Sequence, residues 1–174
     1  MSKYNIYTDG SCRKNPGPGG FGVIVMNGDA IEYAYAHNEA ATTNNRQELK
    51  AILHAFELSQ TRYKGQHCRI HSDSAYCVNM INSWIHTWAR NGWKNTKKQT
   101  VENVDLVQEI YKYLCIEFFN CEVVKVAGHN GIIPNELADA LATDDVLKFT
   151  RLIKDNNLEL ETYINDCIDL EVDS

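Results

Sequence analysis

Apolar and polar residues alternate from Lys3 to Thr8, apolar residues run together from Phe21 to Met26, and alternation returns from Ala30 to His37. Runs of this length and period predict strands. Asp9 closes the first, and Asn27-Gly28 between the second and third is a tight-hairpin signal. The chain is therefore expected to open as an antiparallel meander. Gly10 to Gly20, centred on Asn15-Pro16-Gly17-Pro18-Gly19-Gly20, predicts a turn-rich loop between its first two strands.

Helical spacing follows. Thr42-Thr43-Asn44-Asn45 supplies helix-start residues, and Leu49, Ile52, Leu53 and Phe56 recur on one stripe, predicting a helix to about Ser59. Gln66 to Ser72 reads as a strand ended by Asp73, with a helix from Ser74 to Trp88 behind it. Ala89 to Thr100 is a polar, basic excursion. Val104 to Cys115 reads as a helix, Glu122 to Val126 as a strand, and Pro134 to Thr143 as a helix rich in Ala and Leu. The order βββαβα, excursion, αβα predicts an α/β fold with a mixed sheet of five strands flanked by helices. Past the break at Asn156-Asn157, Leu160, Tyr163, Ile164, Cys167 and Ile168 would share one face of a last helix. The expected organisation is one catalytic domain over 1–145. An acidic extension over 146–174 is expected to be helical and part of, or packed on, the same domain.

Composition narrows the class. The 174 residues suffice for one domain with a proper core. No stretch is long and apolar enough to cross a bilayer, and the N-terminus enters a strand pattern without a signal-peptide apolar region. A cytoplasmic protein with no membrane partner is expected. Cys12, Cys68, Cys77, Cys115, Cys121 and Cys167 are scattered, with no CxxC pair, which points to free thiols rather than a disulfide framework or a zinc site. The net charge of −6 argues at first against nucleic acid, but its location reverses the argument. Asp144 to Ser174 holds nine acidic and three basic residues, giving −6, while the 14 acidic and 14 basic residues before it cancel. The first 143 residues are thus free to carry a local basic face.

Four acidic residues stand where burial is expected. Asp9 and Asp73 end apolar strands, Glu48 lies on the core stripe of Leu49, Ile52 and Phe56, and Asp139 sits between Ala138 and Ala142. Buried charges need partners or a metal. Salt bridges or helix capping would explain any one of them, but four together outrun the nearby Lys and Arg. Strand ends in an α/β sheet converge on one edge, where ligands bind. Carboxylates gathered there would need a hard cation, Mg²⁺ or Mn²⁺. Two such ions about 4 Å apart activate water and stabilise the leaving oxygen in phosphodiester hydrolysis.

Tyr7-Thr8-Asp9-Gly10-Ser11-Cys12 with Asn15-Pro16-Gly17-Pro18-Gly19-Gly20, Thr42-Thr43-Asn44-Asn45-Arg46-Gln47-Glu48-Leu49, Ser72-Asp73-Ser74, and Gly128-His129-Asn130-Gly131 with Asn135-Glu136 and Asp139 occur in that order over about residues 3–143. This series resembles the ribonuclease H family, type I (bacterial-type) branch. The resemblance implies a monomeric endonuclease that cuts the RNA strand of RNA–DNA hybrids, leaving 3′-hydroxyl and 5′-phosphate ends. Asp9, Glu48, Asp73 and Asp139 would hold two Mg²⁺ ions, with Mn²⁺ as a substitute. His129 would assist proton transfer or product release, which suits a group titrating near working pH. Asn15, Thr43, Asn44 and Asn45 would line the substrate track, where amides match the donor and acceptor character of a 2′-hydroxyl. Asn44 and Asn45 also suit plain helix capping.

Trp84, Trp88 and Trp93 interleave with Arg90, Lys94, Lys97 and Lys98, a pairing that suits a nucleic-acid groove or, equally, an amphipathic helix packed by its tryptophans. In the resemblance this is the handle that contacts the DNA strand. Ala75 stands where the family commonly has a substrate-contacting glutamine, and Val107 where it often has tryptophan. The acidic extension is longer than the family pattern and leaves three readings open: a packed helix, a solvated face, or a surface for an unknown partner. The competing functional readings are a catalytically silent hybrid-binding module and a DNA-cutting nuclease or integrase on the same fold. A piece of a reverse transcriptase is a further one, against which Met1 directly before the first strand favours a separate protein.

Overall fold

A computed structural model describes residues 3–128 and 131–164 of the chain. Strands β1 (Lys3–Cys12), β2 (Gly17–Asn27) and β3 (Ala30–Thr42) form the antiparallel meander. Helix α1 (Asn44–Gln60) leads to β4 (His67–Ser72), parallel to β1. A continuous helical run follows: α2 (Ala75–Asn79), a π-helical turn (Met80–Trp84) and α3 (Ile85–Arg90). Then come α4 (Val104–Leu114), β5 (Cys121–Lys125), α5 (Ile133–Ala142), α6 (Val146–Asp155) and β6 (Glu159–Ile164). The strand order is β5-β4-β1-β2-β3-β6.

Both faces of the sheet are covered, which explains the unbroken apolar run in β2. Val23 and Val25 point into one core cluster with Leu49, Ile52 and Phe56 of α1, Ile85 of α3 and Ile110 of α4. Ile24 and Met26 point into the other, with Leu137 and Leu141 of α5 and Phe149 of α6. A strand buried on both faces has no polar face to alternate with. Val107, the departure from the family pattern, is buried in the first cluster.

The structure corrects the sequence reading in three places. Gly10–Cys12 and Gly17–Gly20 are strand, not loop; only the stretch between β1 and β2 turns. Glycine there serves close packing: a Cβ on Gly20 would lie 3.0 Å from the Ala142 carbonyl oxygen of α5. The hairpin turn is Gly28-Asp29, one position later than expected, with Gly28 at φ 61°. Finally, the sheet has six strands rather than five, because 159–164 is the edge strand β6, parallel to β3, and not a helix. Glu-Leu-Glu-Thr-Tyr-Ile satisfies both periods. Its β-branched and aromatic residues, together with the open edge of β3, decide for strand. Cys167 and Ile168 lie outside the described residues.

Helix α6 is tied in by its cap and by its core residue. The Asp145 carboxylate accepts from the Lys148 N–H at 3.0 Å, and Phe149 is fully buried. Phe149→Ala should therefore lower unfolding free energy by about 3–5 kcal/mol. Urea denaturation checks this, and a loss below about 1 kcal/mol would mean that α6 is not part of the cooperative core.

Candidate active site

Thr8 of β1 stands opposite Ser72, the last residue of β4, so Asp9 and Asp73 leave two adjacent parallel strands side by side. Beyond that point β1 runs on to Cys12 paired with β2 only, and a cleft opens on the side where β4 has ended. Helix α1 crosses this stretch closely enough that a Cβ on Gly10 would lie 2.3 Å from the Glu48 nitrogen. The motif glycine after Asp9 thus lets the helix bring Glu48 down onto the strand. Asp139 arrives on α5 from the other face of the sheet, and all four carboxylates line one cleft.

Asp9, Glu48 and Asp73 each place an oxygen within 4.8 Å of the others. Asp9 is 4% exposed and Glu48 8%, and Glu48 Oε2 is buried without a hydrogen-bond partner among the described residues. Burial pushes the Asp9 carboxyl far above its usual range, and repulsion from Glu48 and Asp73 adds to it. Burial, then Asp73, pushes Glu48 up as well. Oxygen-only donors carrying excess negative charge and an orphaned buried oxygen fit a hard divalent cation. Asp139 is different. Its Oδ2 accepts from Lys148 Nζ at 2.7 Å, and the same ammonium reaches Glu136 Oε2 at 2.9 Å. Burial disfavours the Lys148 ammonium, but its hydrogen bonds to Asp139 and Glu136 outweigh this and hold its pKa above the ordinary lysine value.

The expected substrate-track residues lie together. Thr43 caps α1, its hydroxyl accepting from the Arg46 N–H at 3.2 Å, and Asn15 Oδ1 accepts from the Asn44 N–H at 3.2 Å. Asn15, Thr43, Asn44 and Asn45 line a second cleft with Glu102 and Asn103, and Asn44 and Asn45 also border the carboxylate cleft. The two clefts therefore form one continuous track. Arg46 closes its far wall by pairing with Asp105 at 2.9 Å and with Asn103 at 3.2 Å.

The basic excursion serves packing and surface at once. Trp88 and Trp93 pack against the core, with the Trp93 ring 5.4 Å from Tyr111, whereas Trp84 is 41% exposed beside Trp88 at 6.1 Å. Backbone hydrogen bonds from Val101 to Trp93 and from Asn95 to Gln99 order the loop. Arg90, Lys94, Lys97 and Lys98 are exposed. None of the four is in an ion pair among the described residues. His129 lies outside the described residues.

Sequence reasoning missed Lys148, Glu102, Asn103 and the Arg46–Asp105 pair. Lys148 and Asp139 are nine residues apart on different helices, so no periodicity links them. Asn103 has φ 55°, the left-handed region that asparagine tolerates, which was a local signal of a turn at the cleft wall.

A mixed sheet covered by helices on both faces, with acidic side chains converging where its central strand outruns a neighbour, defines the class as a carboxylate-centred nuclease. The model of the RNase H family matches residues 1–146. A ribonuclease H from Parvibaculum lavamentivorans is 44% identical over 137 residues, covering 79% of this chain and 87% of its own. Among solved structures, LC9-RNase H1, described as a type 1 RNase H with the type 2 active-site motif, superposes with a TM-score of 0.70. It is 24% identical, over 99% of this chain and 96% of its own. LC11-RNase H1, solved with an RNA/DNA hybrid, gives a TM-score of 0.58 at 24% identity over 83% of this chain and 99% of its own. The chain belongs to the RNase H family. Degrading the RNA strand of RNA–DNA hybrids is the general function of that family.

The raised carboxyls have a consequence for stability. A folded pKa above the unfolded value of about 4 stabilises fully below that value and is lost as pH rises through the folded one. In chelator, Asp9→Asn should therefore melt higher than the unmutated protein, by about 2–8 °C for about 1–2 kcal/mol of relieved charge. The gain should grow from pH 5 to pH 8 and shrink in Mg²⁺. A melting scan with no gain at pH 8 would refute the repulsion.

Proposed function

We propose that this chain is an endonuclease that hydrolyses the RNA strand of RNA–DNA hybrids by a two-metal mechanism, giving 3′-hydroxyl and 5′-phosphate ends. The observation that carries the proposal is the convergence of Asp9, Glu48 and Asp73 within 4.8 Å on an open cleft that Asp139 also lines. In this reading the four carboxylates hold two Mg²⁺ ions, for which Mn²⁺ can substitute. The ions, when bound, supply activation of the attacking water and charge neutralisation at the leaving oxygen.

The chain's own residues do the positioning. The Asn44 and Asn45 side chains offer both donor and acceptor to RNA 2′-hydroxyls beside the carboxylates, with Thr43 and Asn15 fixing the α1 terminus that presents them. Arg90, Lys94, Lys97 and Lys98 meet the phosphates of the DNA strand, and Trp84, Trp88 and Trp93 supply aromatic surface beside them. His129 moves a proton or assists product departure. The relative solved with an RNA/DNA hybrid supports the substrate class through its shared fold. In this reading the protein acts as a monomer with nucleic acid as its partner. No helix among the described residues is long and apolar enough to cross a membrane.

The test is cleavage of an end-labelled RNA–DNA hybrid in Mg²⁺, beside chelator, RNA-duplex and DNA-duplex controls. RNA should be cut in the hybrid alone and only with metal. Asp9→Asn should lose more than about 100-fold, the upper end of what changes around a metal ligand cause. Tight hybrid binding with no cutting in Mg²⁺ or Mn²⁺ would instead make the chain a binding module.

A further inference from the structure

We propose that Lys148 is a tethered cation that occupies the Asp139 side of the carboxylate cluster in the metal-free enzyme and sets the divalent-ion concentration at which that side fills. The proposal rests on the reading of Asp139 as a metal ligand.

Geometry supports it first. Among the described residues, Asp139 is the one of the four carboxylates that is in an ion pair, and its partner is Lys148 at 2.7 Å. Asp9, Glu48 and Asp73, within 4.8 Å of one another, have no such counter-ion among the described residues. The lysine is not a wandering surface side chain. Its own N–H is held by the Asp145 cap at 3.0 Å, and its neighbour Phe149 is fully buried, so α6 aims the ammonium at the cluster. The match to the family model ends at residue 146, so this cation comes from the segment beyond it.

Charge decides what the contact does. A divalent ion shared by Asp139 would come close to the ammonium, and like charges at that range oppose each other. A lysine has four rotatable side-chain bonds and can withdraw. Glu136 Oε2, already 2.9 Å away, offers an acceptor on which it can rest. Lys148 thus lowers the charge excess when metal is scarce and yields when metal is abundant. Its effect is to raise the ion concentration needed to fill the Asp139 side.

Calorimetric Mg²⁺ titration and melting scans in chelator and in Mg²⁺ test this with K148M, K148R and D139N. K148M should fill the weaker site at an about three- to tenfold lower Mg²⁺ concentration, the size expected for one partly exposed charge. K148R should behave like the unmutated protein. K148M should also melt lower in chelator and recover in Mg²⁺, and its gain in affinity should vanish in the K148M/D139N double variant. Circular dichroism confirms that each variant folds. A folded K148M whose half-saturation is unchanged or higher, beside an impaired D139N, overturns the role of Lys148 alone. Unimpaired Mg²⁺ binding by D139N overturns Asp139 as a ligand, and the proposal with it.

Discussion

Asp9, Glu48 and Asp73 repel one another across less than 4.8 Å. At an effective dielectric constant of about 20, each ionised pair held there opposes folding by on the order of 3 kcal/mol. The rest of the architecture makes that arrangement tolerable. Two core clusters sandwich the sheet, and each buried Ile, Leu or Phe contributes about 1.5–3 kcal/mol, so the frustration is local rather than fatal. The cluster answers its repulsion in two further ways: burial and mutual repulsion raise the Asp9 and Glu48 carboxyls toward the protonated form, and Lys148 delivers an ammonium to Asp139. In the proposed mechanism both give way to a divalent ion. In that mechanism structure and function share one cause, since the charge that strains the fold is the charge that would recruit the ion.

The carboxylates were legible in the sequence because each breaks a local pattern. An acid that ends an apolar strand, or sits on a helix's core stripe, conflicts with burial, and Asp9, Glu48, Asp73 and Asp139 all show that conflict. The glycines were misread for an equally physical reason. Glycine in a strand looks like a turn signal from sequence alone, because its other use, admitting a neighbouring backbone, depends on an element far along the chain. Gly10 admits α1 and Gly20 admits α5, and neither approach can be inferred from residues 10–20.

The C-terminal segment was the least legible part. Leu160, Tyr163 and Ile164 fit a helical face, and pairing with the edge of β3, far along the chain, is what turns the balance to strand. Lys148 reads as one more surface lysine until α5 and α6 fold against each other. The acidic balance of the extension hid a cation placed against the cluster. Net charge describes a segment, whereas the site responds to one ammonium at 2.7 Å.

The most direct test of the central claim is the proton balance of metal binding. Mg²⁺ titrations at pH 7 in two buffers of different ionisation enthalpy count the protons released. A cluster that keeps a proton until an ion replaces it should release about one proton per protein, and Asp9→Asn should release almost none. Saturable binding with heats independent of the buffer would contradict the account. The carboxylates would then already be ionised without metal, and their repulsion would not be the constraint around which the site is built.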